Sequence, residues 1–357
     1  MEKTNHSALV IGSSGIVGSN LADHLTAKEW QVYGLARRPL KSNPLVTPVV
    51  ADLTDRAALC SALRGLCPTH VFFGTWSRQA TERENMRVNG TMVRNLLDAI
   101  APAKSVKHVS LVTGLKHYLG AFNEYGKGTL PMTPFREDAP RLPGDNFYYT
   151  QEDEVFAAAA RDGFGWTIHR PHTIIGHAVG NAMNMGNTLA AYATICRETG
   201  RPFIFPGSIQ VWNGLIDITD ARLLARQLEW SATSSAARNQ ALNVVNGDVF
   251  RWKWMWGKIA RWFDLEPAPF PAERVPLEKL LADARPVWAE IARKHNLAVS
   301  DFDAVASPWH TDLDLGLSME VIADMSKSRK LGFLDYQASD DSFLDLFVRL
   351  RNEKIIP

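Results

Sequence analysis

The feature that most constrains this chain is VIGSSGIVGSNLADHL at residues 10–25, where an apolar run leads into glycines at 12, 15 and 18 and then into a helix-like segment. The spacing has a mechanism. Gly12 permits a tight turn, Gly15 lets the backbone approach a pyrophosphate without a Cβ in the way, and Gly18 allows the helix to pack closely on the strand. The helix N-terminus then offers unpaired N–H groups and partial positive charge to phosphates. A strand, a glycine turn and a helix in that order predict a dinucleotide site, with Ser13, Ser14, Ile16 and Val17 lining the turn.

The same rhythm continues through the first half of the chain. Short apolar runs at 8–12, 31–37, 48–53, 70–76 and 108–114 alternate with amphipathic segments at 16–27, 55–65 and 84–101, each long enough to cross from one parallel strand to the next. A further helix is expected at 150–161 and a strand at 166–170. The fold class is therefore α/β, a Rossmann-type doubly wound parallel sheet. Residues 130–144, LPMTPFREDAPRLPG, carry four prolines and read as a loop. Beyond residue 176 the pattern changes to helix-like stretches at 183–199, 219–231 and near 277–295, with an apolar run at 241–245 and a proline-rich break at 265–276. This predicts a dinucleotide-binding domain over 1–176 and a smaller C-terminal α/β substrate-binding portion over 177–357, with segments such as 208–247 able to return to the Rossmann core.

Composition narrows the partners. With 39 Lys+Arg against 38 Asp+Glu the net charge is +1, so no global field draws in nucleic acid or an anionic membrane. Small-molecule partners are favoured, and monomer or homodimer stays open. The three cysteines form no CxxC pair, residues 1–28 lack a signal-type apolar core, and no apolar run reaches the ~18 residues of a membrane span. A cytoplasmic protein is expected. Of 11 tryptophans, those in WKWMW at 252–256 read as core packing.

The end of the second strand selects the dinucleotide. An NAD enzyme commonly places a carboxylate there, whereas this chain has Arg37 and Arg38. Two guanidiniums grip a 2′-phosphate through charge-assisted hydrogen bonds, so NADPH is expected. Asp52, followed by Leu53, either faces the adenine or caps the helix beginning near Thr54.

Chains with GxxGxxG spacing resemble the extended short-chain dehydrogenase/reductases, whose catalytic tyrosine and lysine come as YxxxK. No tyrosine here has lysine four positions later; Tyr148, for instance, has Glu152. Two other signatures stand out, TGLKHYLGAF at 113–122 and NFYYTQED at 146–153, with ARR at 36–38, HVFFGTWSR at 70–78, HRPHTIIG at 169–176 and NGDVFRWKWMW at 246–256. Together they resemble the progesterone 5β-reductase/iridoid synthase-like reductases over nearly the whole chain. The resemblance implies Lys116 and Tyr148 as the catalytic pair. It also implies a cofactor crevice that adds Thr75, Trp76, Thr113, Gly114, Tyr148, Pro171, Thr173 and Ile174 to the glycine turn. Position supports this: Lys116 follows the carboxyl end of the fifth strand and Tyr148 opens the next helix, on the rim where open α/β sheets bind ligands.

The implied reaction is 1,4-reduction of an enone or enal. Hydride reaches the β-carbon, negative charge moves to the carbonyl oxygen, and Tyr148 with Lys116 stabilises that oxygen before protonation at the α-carbon. Trp76, Phe122 and His172 are candidate pocket walls, and His172 stands where the family usually has a small residue. His117 reads as a loop residue rather than a base, and Tyr149 as a buried tyrosine with a structural hydrogen bond. The alternatives are another activity of the superfamily, a carbonyl reductase or nucleotide-sugar epimerase/dehydratase, and a nonenzymatic NADPH-binding regulator. No metal site is expected, since HExxH is absent.

Overall fold

The apolar runs of the first half become buried parallel strands, as expected when helices cover both faces of a sheet. The strands are β1 (Ser7–Ile11), β2 (Gln31–Ala36), β3 (Val46–Val50), β4 (His70–Phe73), β5 (His108–Val112), β6 (Gly165–Pro171), β7 (Ile174–Ile175), β8 (Thr219–Asp220) and β9 (Gln240–Val244). The computed structural model describes residues 6–38, 43–121, 124–125, 131–181 and 183–357. Seven strands form one sheet in the order β3-β2-β1-β4-β5-β6-β9, every neighbouring pair parallel. The order reverses direction between β1 and β4, the switch point at which doubly wound sheets open a crevice at their carboxyl ends.

The crossover helices are α1 (Ile16–Ala27), α2 (Arg56–Ala62) and α3 (Glu82–Ile100); α4 (Lys116–Leu119) and α5 (Phe147–Asp162) lie between β5 and β6. Local chemistry sets their ends. Thr81 accepts from the Glu84 amide at 3.2 Å to start α3, and Gly163 at φ +82° closes α5 in the left-handed region. Tyr148 thus falls in the first turn of α5, which begins three residues before the sequence pattern suggests.

The chain divides into two compact units. The first gathers residues up to His172 with Arg222–Val244 and Ala323–Asp335; the second comprises Thr173–Ala221, Val245–Ile322 and Tyr336–Pro357. The boundary expected at residue 176 thus falls after His172. The return expected over 208–247 is confined to 222–244, and a third piece, 323–335, joins the first unit with no sequence signal. Apolar patterning announces a buried strand but not which sheet edge receives it.

In the second unit β7 and β8 pair in parallel, the helices α6 (Met185–Thr199) and α9 (Trp252–Trp262) pack with helix Ser339–Asn352, and α7 (Ile209–Asn213) packs with α9; α8 (Ala221–Thr233) starts at its border and runs into the first unit. The WKWMW segment is packing: Trp252 and Trp256 are fully buried, Trp256 stacks on Phe203 at 4.0 Å, and Trp254 turns outward under Lys258. Among the described residues no helix is long and apolar enough to cross a membrane.

Candidate active site

The turn after β1 is built as its glycines suggest. Gly12 has φ +78°, and a Cβ there would meet Thr75 Cβ at 2.6 Å. A Cβ on Gly18 would lie 2.3 Å from the Gly12 carbonyl oxygen, so α1 approaches the strand end only because that position is glycine. The Gly12 and Ser13 amides both donate to the Leu35 carbonyl, at 2.9 and 3.2 Å, which fixes the turn to β2. Helix α1 starts after Gly15 with no side-chain cap and no acidic residue in its first turn, leaving its N-terminal dipole open to an anion. Ser13 Oγ is buried and finds no hydrogen-bond partner among the described residues, which leaves its hydroxyl able to donate to a ligand oxygen. Ser14 is exposed, while Ile16 and Val17 are buried, with Val17 against Gly74, where a Cβ would come within 2.8 Å of its Cγ1.

Arg37 and Arg38 leave the end of β2 exposed to solvent. Asp52 does not cap α2: its Oδ1 accepts from the Thr54 amide at 2.8 Å and the Thr54 hydroxyl at 2.7 Å, and Asp55 supplies the cap by accepting from the Ala58 amide. The Thr54 hydrogen bonds, with the field of Arg37 adding to them, hold the Asp52 carboxyl below its ordinary range. Leu53 is a core residue, and its carbonyl accepts from Asn95.

On the other side of the switch point, the Thr113 amide and hydroxyl both donate to the His169 carbonyl, at 2.8 and 3.2 Å, pinning the end of β5 to β6. A Cβ placed on Gly114 would lie 3.4 Å from Tyr148 Oη and 3.3 Å from the Pro171 carbonyl oxygen. The phenol therefore rests against the backbone where β5 and β6 end. Lys116, two residues further on, is only 3% exposed. Its Nζ lies 5.9 Å from the centre of the Tyr148 ring, 4.8 Å from that of Phe147 and 3.8 Å from Glu82 Oε2. Trp76 stacks on Phe147 at 5.1 Å, so aromatic rings form much of the ammonium's surroundings. Burial in this setting pushes Lys116 down to about 8, with Glu82 opposing the shift and Arg78 adding to it.

The place that YxxxK would give to lysine is occupied by Glu152, buried and committed elsewhere: it pairs with Arg141 at 2.8 Å and Arg170 at 3.8 Å. Burial pushes its carboxyl up, against the pull of Arg170 and Arg141. Tyr149 is structural, donating to the His117 carbonyl and accepting from the Leu142 amide, both at 2.9 Å. His117 is buried against the Ala139 carbonyl at 3.1 Å, and burial lowers it to about 4. His172 is buried at the end of the first unit. Thr173 and Ile174 belong to the second unit, where the Thr173 hydroxyl donates to Asp314 at 2.8 Å and Ile174 pairs with Thr219. Phe122 lies outside the described residues.

Residues 65–357 match the profile of the PRISE-like Rossmann-fold domain. The chain belongs to that family. It is 38% identical to the (S)-8-oxocitronellyl enol synthase ISY1 of Nepeta cataria, across 98% of this chain and 93% of the relative. It is also 38% identical to the 3-oxo-Delta(4,5)-steroid 5-beta-reductase of Arabidopsis thaliana, with the same 98% and 93% coverage. Among solved structures the Bordetella bronchiseptica enzyme WbmH, in complex with NAD+, shares the fold with a TM-score of 0.65 at 16% identity, covering 98% of this chain and 99% of that one.

In this PRISE-like chain three site residues escape a reading of the sequence. Asn146 caps α5 by accepting from the Tyr148 amide at 3.0 Å and donates from Nδ2 to the Lys116 carbonyl at 2.9 Å. Glu82 accepts from the Phe147 amide at 2.8 Å. Phe147 itself has its ring 4.5 Å from that of Tyr148 and lies beneath the Lys116 ammonium. Asn146 had a signal as a cap residue before an apolar helix; Glu82 had none, because the partners that place it in the site, the Phe147 amide and Lys116, are distant in sequence.

Proposed function

We propose that this PRISE-like chain is an NADPH-dependent reductase of the C=C bond in small enones and enals. The names of its relatives share one electronic outcome: an enol product in the first, and saturation next to a 3-oxo group in the second. The observation that carries the reading is the Lys116 ammonium beside the Tyr148 ring, with the phenol against Gly114 and the Pro171 carbonyl.

The residues present fit a dinucleotide phosphate. Gly12, Gly15 and Gly18 would admit the pyrophosphate to the open N-terminus of α1, the Ser13 hydroxyl would donate to it, and Arg37 and Arg38 would hold a 2′-phosphate. Bound NADPH would supply hydride to the β-carbon of the substrate. The chain's own part is to manage the charge that then gathers on the carbonyl oxygen. Tyr148 donates its O–H to that oxygen, and Lys116, largely cationic at neutral pH, strengthens the phenol as a donor and stabilises the enolate from a desolvated position. Phe147, backed by Trp76, covers the ammonium, and Lys116 is 3% exposed, so its field is weakly screened. In a saturated ketone or aldehyde product both new hydrogens lie on carbon, hydride at the β-carbon and a proton from solvent at the α-carbon, so Tyr148 stabilises the enolate oxygen rather than passing its proton into that product.

The test is oxidation of NADPH by 2-cyclohexen-1-one with product analysis, NADH serving as the comparison cofactor. Cyclohexanone with NADPH preferred is the expected result; cyclohexenol as the main product would make the protein a carbonyl reductase and overturn the proposal.

A further inference from the structure

We propose that Glu82 is a positioning residue of this reaction, its one carboxylate holding both the start of the helix that carries Tyr148 and the ammonium of Lys116. The inference rests on the reductase reading above. The two oxygens have separate tasks. Oε1 accepts from the Phe147 amide at 2.8 Å, the N–H directly before that of Tyr148; Oε2 accepts from Asn85 Nδ2 at 3.0 Å and faces Lys116 Nζ at 3.8 Å. Helix capping alone does not call for this acid, because Asn146 already caps α5 through the Tyr148 amide. A negative charge at the first amide of α5 also complements the helix dipole. Glu82 therefore ties three segments together: the start of α3, the turn after β5 and the first residue of α5.

The electrostatics agree with the geometry. Among the described residues, Lys116 is faced by Glu82 from α3, Arg78 from the segment before α3, and the rings of Phe147 and Tyr148 from α5, among others. The acids that follow on α5 are engaged elsewhere, Glu152 by Arg141 and Arg170, Asp153 by Arg141 and Glu154 by Arg94. Burial and Arg78 both favour the neutral amine, whereas Glu82 favours the ammonium. Removing its charge while keeping its shape should leave a folded protein whose lysine loses its proton at lower pH.

The experiment compares wild type with Glu82→Gln and Glu82→Asp. Glu82→Gln retains an acceptor for the Phe147 amide, so NADPH affinity stays within about twofold, whereas the alkaline limb of the pH–kcat profile moves down by about one pH unit. Near pH 8 kcat falls about fivefold, approaching tenfold above about pH 9, and near pH 6 it approaches wild type, with KM for the enone little changed; Glu82→Asp, which keeps the charge, restores most of the alkaline activity. A loss of kcat equal at every pH would reduce Glu82 to a structural role and overturn the proposal. A readout free of turnover is the 13Cε titration of Lys116, assigned with Lys116→Arg: its midpoint should fall in Glu82→Gln, and an unchanged midpoint overturns the proposal. A lowered midpoint in a protein that reduces no enone would uphold the coupling of Glu82 to Lys116 and sink the reductase reading instead.

Discussion

The side-chain amide of Asn146 donates to the backbone carbonyl of Lys116 at 2.9 Å, while its oxygen accepts from the amide of Tyr148. One residue thus joins the backbones of both members of the pair. Asn146→Asp keeps the helix cap and loses the donor, whereas Asn146→Ala loses both. Both variants are expected to lower kcat by about tenfold, with Asn146→Ala also losing about 1 kcal/mol or more of stability to the missing cap, read by urea denaturation. Equal, wild-type turnover in both would show that the tether does nothing for catalysis.

Tyr148→Phe removes the donor without altering the ring. Turnover should drop on the order of a hundredfold, the effect of about 3 kcal/mol from one lost oxyanion donor, while the dissociation constant for NADPH holds. Gly114→Ala should lower turnover far less, since its Cβ would touch Tyr148 Oη at 3.4 Å and need only a small shift of the Pro171 carbonyl at 3.3 Å. Single-turnover kinetics alongside fluorescence titration with NADPH measures both quantities.

Glu152→Lys writes YxxxK back into the chain, yet it should not rescue Lys116→Ala. The new ammonium would be buried beside Arg141 and Arg170 with no acid between them. Breaking a buried pair of this kind typically costs about 3–5 kcal/mol, so the melting temperature should fall sharply with no gain in activity. Recovery of turnover in the double variant would show that the lysine's place of origin is immaterial.

Arg37→Ala/Arg38→Ala removes the exposed guanidiniums that end β2. KM for NADPH should rise by about tenfold or more and KM for NADH should change little, because charge-assisted bonds to a phosphate contribute about 1.5–3 kcal/mol. Parallel losses with both cofactors would place the 2′-phosphate elsewhere.

A buried histidine row predicts acid sensitivity. His70 and His108 are paired neighbours on β4 and β5, and His108 and His169 share the Thr167 hydroxyl at 3.0 and 3.1 Å. Burial lowers His70 and His169 from 6.5 to about 4 and His108 to about 3. The native state keeps these rings neutral, so their stabilisation is complete above pH 6.5 and is lost as pH falls from there toward 4. Each group can remove up to about 1.4 kcal/mol per pH unit over that window. Melting temperatures should fall between pH 7 and pH 5, less steeply in His108→Gln; an unchanged melting temperature would contradict this.

The sheet was legible because its strands and glycines carry local signals: a buried parallel strand reads as an apolar run, and a strained turn next to a helix reads as glycine at fixed spacing. Strand β3 came out two residues early, at Val46, since its edge exposes Val50 and blurs the pattern. Lys116 and Tyr148 stand out through the family signatures and their places at the carboxyl end of β5 and the start of α5, and in the structure the Lys116 Nζ lies 5.9 Å from the Tyr148 ring. Glu82 and Asn146 stayed hidden as site residues, because what they do is hold particular amides and carbonyls, and those positions exist only once the chain is folded. Asp52 and Asp55 show the same limit, two cap-forming residues three apart of which one starts a turn and the other a helix.

Strand β9 pairs with β6 along Thr167–Pro171, and it arrives from residues 240–244, well after the rest of the sheet has been synthesised. A chain emerging from the ribosome therefore holds β6 as a raw edge while dozens of further residues are made, open to pairing with a strand of another molecule. Completion of the nucleotide-binding half has to wait until β9 and then residues 323–335 have been made, and a gene cut near codon 176 would yield a sticky fragment in place of a domain.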